Sequence, residues 1–277
     1  MAAMKLTALW RSTHPGPSLV VTAIAVALGV ASALPAWRVA VLAVAILLGQ
    51  LSVGLSNDAV DAPRDTAAGR TDKPLASGEA SVRSAWIAAF ATLAGALVLS
   101  AVLSGWMLLA HAVALASAWA YNLGLKSTVF SVVPFMVSFG LLPSLVTLAA
   151  ADPRPAAPWA WIAGASLGVA VHLTNVLPDF DDDAKTGVRG LPHRLGRRTS
   201  AVLAAVALTG GAVAVLVGQG DPGVFGWCVF AAVVVTAVIG LVLALARPPG
   251  RIVFRLVMGA ALLVCVQLAA AGQSLVG

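Results

Sequence analysis

Nine long apolar stretches, near residues 17–34, 37–56, 84–104, 105–121, 129–150, 158–176, 199–219, 223–246 and 252–275, take up most of this 277-residue chain. A helix crossing the roughly 30 Å hydrocarbon layer of a bilayer needs about 20 apolar residues, so these stretches predict nine transmembrane helices joined by short loops. With 60% of residues apolar and 10% charged, the chain cannot cover a water-exposed globular surface. The runs are rich in Ala, Leu and Val and do not alternate, which points to helices and away from an outer-membrane barrel. Pro and Gly punctuate them at Pro35, at Gly105, between Pro153 and Pro158, at Gly220 and Gly223, and from Pro248 to Gly250. The expected organisation is a single membrane domain over residues 1–277, with no room for a separate soluble one. Met1 to Arg11 lacks a small-residue cleavage site, and the first span reads as retained.

A net charge of +6 raises nucleic acid as a partner, and the distribution of that charge argues against it. With the N-terminus in the cytoplasm, Lys5, Arg11, Arg64, Arg70, Lys73, Arg83, Lys126, Lys185, Arg189, Arg194, Arg197, Arg198, Arg247, Arg251 and Arg255 share the cytoplasmic side. Only Arg38 and Arg154 fall outside. This 15-to-2 split follows the positive-inside rule and places the C-terminus outside. The Ala, Val, Arg and Gly bias suggests a bacterial cell membrane.

Nine of the eleven acids fall in two long cytoplasmic connections, residues 57–83 and 177–198. The second span runs into Asn57, Asp58, Asp61, Arg64 and Asp65, whose three- and four-residue spacings put the carboxylates on one helix face. Pro63 is expected to break that helix between Asp61 and Asp65 and to turn Asp65 elsewhere. The sixth span runs into Asn175, Asp179, Asp181, Asp182 and Asp183, followed by Lys185 and Arg189. Carboxylates gathered this way repel one another, and a hard divalent cation with oxygen ligands compensates best. Mg²⁺ typically takes one or two carboxylates, waters and the oxygens of a substrate phosphate. One such cluster is readily an acidic hydrated loop; two, each leaving a membrane helix on the same side, point to a site. Arg64, Arg70, Lys73, Lys126, Lys185 and Arg189 lie around them and suit phosphate oxygens. For Arg83, Arg197, Arg198 and Arg247 a topology role suffices.

These residues resemble the UbiA superfamily of intramembrane prenyltransferases. Asn57, Asp58, Asp61 and Asp65 match its NDxxDxxxD motif, and Asp179, Asp183 and Gly187 its DxxxDxxxG motif, with Asn175 one turn earlier. Residues 70–78, RTDKPLASG, are similar to its R-x-x-[RK]-P-L-x-S-G stretch. The resemblance implies nine helices around a central cavity with a cytoplasmic cap, in which Mg²⁺ binds and ionises a prenyl diphosphate and the prenyl group passes to an aromatic or other lipophilic acceptor. It implies metal ligation by Asn57, Asp58, Asp61, Asp65, Asn175, Asp179 and Asp183. Diphosphate contacts fall to Arg64, Arg70, Lys73, Tyr121, Lys126, Lys185 and Arg189, and the Tyr121 and Lys126 pair is spaced differently from the family's usual one. Among Asp179, Asp182 and Asp183, one acid is left to steady the allylic cation or take a proton. The alternative within the same chemistry is a UbiA-type terpene cyclase that needs no acceptor. A transporter reading is weaker, because the acids sit at one membrane face and not at its midplane.

Other polar residues carry weaker expectations. His111 and His172 read as neutral, hydrogen-bonded bundle residues, although His172, seven residues before Asp179, lies two turns deeper on roughly the same face, where an acceptor could sit; His14, with Arg11 and Pro15, marks the entry to the first span, where a substrate-facing role is open. Trp10, Trp37, Trp106, Trp159, Trp161 and Trp227 fit an interfacial belt. Gly49, Gly54, Gly164 and Gly168 are expected to permit close helix packing, and Cys228 and Cys265 to be packing residues.

Overall fold

The computed structural model describes residues 2–178, 180, 187–247 and 251–276, without the side chains of 2–5, 251 and 273. Among the described residues the chain is helical throughout, with no strand. After a short α1 (Ala2–Arg11) come α2 (Pro15–Ala31), α3 (Ala36–Ala67), α4 (Val82–Leu103) and α5 (Gly105–Leu123). Two 3-10 turns, Leu125–Ser127 and Val129–Val132, lead into α6 (Val133–Thr147), then α7 (Pro158–Asn175). A short α8 (Leu191–Leu195) precedes α9 (Arg197–Gly218), α10 (Gly223–Ala246) and α11 (Arg251–Ala270).

Each apolar stretch of the sequence thus contains one long helix. Among the described residues, six segments are long and apolar enough to cross a membrane on length and composition alone: Ala36–Ala67, Val82–Leu103, Val129–Thr147, Arg197–Gly218, Gly223–Ala246 and Ile252–Ala270. That is fewer than the nine expected. The apolar α2 is shorter, at 17 residues. Helices α5 and α7 carry His111, Tyr121, Asn122, His172, Thr174 and Asn175. Four of these side chains, His111, Asn122, His172 and Thr174, are buried in protein, and a helix that turns polar groups inward does not need a uniformly apolar composition.

Successive long helices pack side by side from α2 to α11, and α11 returns to α2, so the chain closes into a ring. The closure is tight: a Cβ on Gly272, just past α11, would stand 2.5 Å from backbone atoms of Ala31 at the end of α2. Between α6 and α7 the approach is closer still, since a Cβ on Gly164 or Gly168 would stand 2.2 or 2.3 Å from the carbonyl oxygens of Phe139 and Phe135. The main apolar core packs the helices together and runs from Leu173 and Ala204, at the end of α7 and the start of α9, to Leu28, Leu42, Met107 and Val215 at the end opposite the first acidic motif. Arg38 closes that end, its Nη1 donating to the carbonyls of Leu103, Ala149 and Ala150 at 3.3, 2.7 and 3.2 Å. Arg38→Ala strands three carbonyls from two chain segments and should cost about 1–3 kcal/mol, read as a lower melting temperature in detergent.

Helix α3 runs straight through Pro63 to Ala67, contrary to the expected break. The proline stands four residues from the helix end with its ring on the exposed face, so the one amide bond it removes is in the last turns, where few remain to be lost. The consequence is that Asp65 stays on the buried face with Asp58 and Asp61.

A candidate diphosphate and metal site

At the motif end of α3, Asp58, Asp61 and Asp65 are 3%, 8% and 6% exposed. Burying three carboxylates on one helix face requires compensating cations, and two lysines supply them from different parts of the chain. Lys73, in the connection after α3, donates from Nζ to Asp58 Oδ1 at 2.8 Å. Lys126, in the turn after α5, donates to Asp61 Oδ1. Arg64 adds its Nη2 to Asp61 Oδ2 at 3.1 Å and lies 3.8 Å from Asp65 through Nε. Asn57 is half-buried beside them.

Two further residues reach this site from the N-terminal side. His14 Nε2 lies 3.0 Å from Asp58 Oδ1, from a backbone in the left-handed region at φ 53 and ψ 62. That conformation is unfavourable for a residue before proline, and packing imposes it. Gly54 lets the chain in, since a Cβ there would stand 2.4 Å from the Thr13 carbonyl oxygen. Arg11 then ties α1 to the connection after α3, donating to Glu79 Oε2 at 2.9 Å and to the Asp72 carbonyl at 3.3 Å. The sequence reading placed both residues at the entry to the first span, with a substrate-facing role as one of two readings, and did not connect either to the acidic motif. The signal present was His14 next to Pro15, a charged or polar residue at the mouth of a span.

The remaining first-motif candidates divide. Arg70 points to Asp72, with Nε and Nη2 each 2.8 Å from one carboxylate oxygen, and this hydrogen-bonded pairing holds the Asp72 carboxyl down at about 2. Both side chains are exposed. Tyr121, in the last turn of α5, stands edge-on to Phe135 and His172 with ring centroids 5.2 and 5.9 Å apart. Its neighbour Asn122 anchors α5 to α3 through the Val53 carbonyl and Ser56 hydroxyl, both at 2.9 Å.

Of the second motif, Asn175 is exposed at the end of α7, and Arg189 is exposed before α8. Asp179, Asp181, Asp182, Asp183 and Lys185 lie outside the described residues. Around them, Arg197 does more than mark topology: Nη1 donates to the Leu177 carbonyl at 2.8 Å, and the guanidinium sits 4.7 Å from the Phe180 ring. His193 stacks on the other partner of that contact, 4.5 Å from Phe180 centroid to centroid. Two of the weaker sequence readings hold: His111 Nδ1 is 2.8 Å from the Ser100 hydroxyl, and His172 Nε2 is 2.9 Å from that of Ser131.

With this geometry in view, comparison with known proteins gives a clear answer. The UbiA prenyltransferase family matches residues 18–256, most of the chain. The protein belongs to the UbiA prenyltransferase family. Membership implies prenyltransferase activity, and with six apolar helices it makes the chain an integral membrane protein. No curated protein matches. Among solved structures the fold is shared with digeranylgeranylglyceryl phosphate synthase, at a TM-score of 0.74 and 14% identity over 97% of this chain and 99% of that one. It is shared equally with a UbiA homolog from Archaeoglobus fulgidus bound to GPP and Mg²⁺, at 0.74 and 16% identity over 95% and 99%. The same homolog bound to DMAPP and Mg²⁺ gives 0.70 and 16% over 95% and 98%.

For this UbiA-family protein the donor chemistry fits the ion found in that homolog. Among the described residues no three His, Cys, Asp or Glu side chains gather as a metal set. Mg²⁺ does not need one, because it takes one or two protein carboxylates and completes its shell with water and substrate phosphate. Asp58 and Asp61, with the amide oxygen of Asn57, are hard oxygen donors of that kind on consecutive turns of α3.

Proposed function

We propose that this protein is a Mg²⁺-dependent intramembrane prenyltransferase that moves a prenyl group from an isoprenoid diphosphate to an aromatic or other lipophilic acceptor. The observation carrying this reading is the burial of Asp58 and Asp61 on one face of α3, each against a lysine delivered from a separate segment. In the bilayer the ring of helices crosses nine times, with the N-terminus cytoplasmic, the C-terminus outside, and the acidic motifs at the cytoplasmic mouth of a bacterial cell membrane protein. Lipid surrounds it, and nucleic acid is no partner.

Asn57, Asp58, Asp61 and Asp65 would hold Mg²⁺ from the first motif, with Asn175, Asp179 and Asp183 from the second. The ion supplies Lewis-acid neutralisation of the diphosphate. The chain's own cations do the rest. Lys73, Lys126 and Arg64 sit where the acids are and reach diphosphate oxygens by small rotations, so charge growing on the departing group meets ammonium and guanidinium already in place. Lys185 and Arg189 serve the same end from the second motif. Arg70, engaged with Asp72, holds the connection that presents Lys73. Tyr121 offers its ring beside the diphosphate end of the substrate. The apolar packing of the ring excludes water, which protects an allylic cation from hydrolysis. One of Asp179, Asp182 and Asp183 takes the proton that the acceptor loses.

The test is direct. Protein in lipid nanodiscs, given GPP and Mg²⁺, is expected to consume GPP only when an acceptor from a panel of aromatic acids, quinone precursors and lipid alcohols is present, and EDTA is expected to stop it. Cyclic hydrocarbon from GPP alone would instead identify a terpene cyclase. Ion uptake into vesicles with no GPP consumption would overturn both.

A further inference from the structure

Beneath Lys126 lies a junction that the sequence did not flag. Ser131 Oγ accepts from the backbone N–H of Leu191 at 2.9 Å and lies 2.9 Å from His172 Nε2. Both side chains are sealed, at 0% and 1% exposure. A hydroxyl has one proton to give. With Leu191 occupying one lone pair, Ser131 keeps its proton and a second lone pair for His172 Nε2, and the other ring nitrogen, Nδ1, is buried with no partner among the described residues.

Three segments meet at this hydroxyl. One is the turn that carries Lys126, five residues before Ser131, with its ammonium on Asp61. The second is α7, which leads into the second acidic motif. The third is Gly190 and Leu191, where the chain leaves that motif. An independent feature marks the same place: a Cβ on Gly190 would stand 2.5 Å from the Lys126 carbonyl oxygen and 2.8 Å from Ser131 Oγ. A hydroxyl that only filled space would bond within its own helix, as Thr209 and Thr236 do with carbonyls four positions back. Ser131 spends its hydroxyl across segments 41 and 60 residues away.

We propose that Ser131, hydrogen-bonded to His172, is a positioning residue for diphosphate binding. It fixes Lys126, and through it the first motif, against the two chain segments that enter and leave the second. This rests on the functional reading above, and the experiment separates the two. Binding of inorganic pyrophosphate with Mg²⁺ to protein in nanodiscs is measured by calorimetry for the wild type, Ser131→Ala, His172→Leu and His172→Gln. Glutamine keeps a hydrogen-bonding group for the Ser131 hydroxyl and leucine does not. Ser131→Ala and His172→Leu are expected to weaken pyrophosphate about tenfold, and His172→Gln to recover most of that loss. In turnover the same two variants raise the KM for GPP by a similar factor and leave kcat within about threefold. A wild type that binds no pyrophosphate overturns the functional reading itself. A wild type that binds, with Ser131→Ala binding equally well or His172→Gln no better than His172→Leu, overturns only the role given to Ser131. If Ser131→Ala does not fold, the two His172 variants decide.

Discussion

Asp58→Asn is expected to lower GPP consumption about 10³-fold or more, equivalent to roughly 4 kcal/mol of transition-state stabilisation. The substitution changes almost nothing but charge. Asparagine has the same shape, and its amide oxygen still accepts from Lys73 and His14, which hold the carboxylate at 2.8 and 3.0 Å. What disappears is a negative hard oxygen donor at a site 3% exposed, where water cannot substitute for it. The metal dependence should change with the rate: the Mg²⁺ concentration for half-maximal activity rises sharply or saturation is lost. Asp72→Asn is the matched control, because that carboxylate is exposed and paired with Arg70. Its expected effect is less than about threefold. Equal losses for Asp58→Asn and Asp72→Asn would remove the reason for placing the metal at the buried face.

How much of this was legible in the residues depends on whether the relevant force is local. Apolar run length marked every long helix, because the bilayer acts on each helix separately. The face shared by Asp58 and Asp61 was legible for the same reason, since three-residue spacing is a property of one helix. Pro63 misled because a local rule was applied where it costs little. In mid-helix a proline removes a needed bond; at the exposed end of α3 it does not, and Asp65 remains aligned. The number of helices able to cross on composition alone was also overread, since α5 and α7 hide their polar residues in protein rather than showing lipid a uniform surface.

Contacts between distant segments were the part that could not be read. That Lys73 belongs to Asp58 and Lys126 to Asp61 follows from how the connection after α3 folds back and how α5 ends, and separations of 15 and 65 residues carry no periodic signal. Arg70 also has a short-range contact that spacing did not suggest, with Asp72 two positions away. His14 reaches Asp58 only because Gly54 admits the Thr13 backbone, a close approach between residues that look unrelated on paper. The family resemblance supplied what spacing could not, and the match over residues 18–256 bears it out.

Lys126→Met gives the second large effect, and its two readouts should move in opposite directions. The ammonium is 10% exposed and rests on Asp61, so it is at once a partner for the carboxylate and a reserve cation for the diphosphate. Removing it takes a charge-assisted contact from the departing group, and kcat/KM for GPP is expected to fall about 10²–10³-fold. The same change frees Asp61 from its nearest competitor for a divalent ion, leaving, among the described residues, Arg64 at 3.1 Å. Mn²⁺ binding without diphosphate, followed by electron paramagnetic resonance, should therefore tighten while turnover collapses. Lys126→Arg separates charge from shape: a guanidinium keeps the positive charge but not the compact ammonium that fits this turn, and an intermediate loss of about tenfold is expected. A lysine that merely propped up the turn would give a different pattern, because loss of the prop would loosen Asp61 and weaken metal and diphosphate together. Parallel losses would thus move Lys126 out of the binding machinery, whereas opposed changes require a cation that trades one anion for another as substrate arrives.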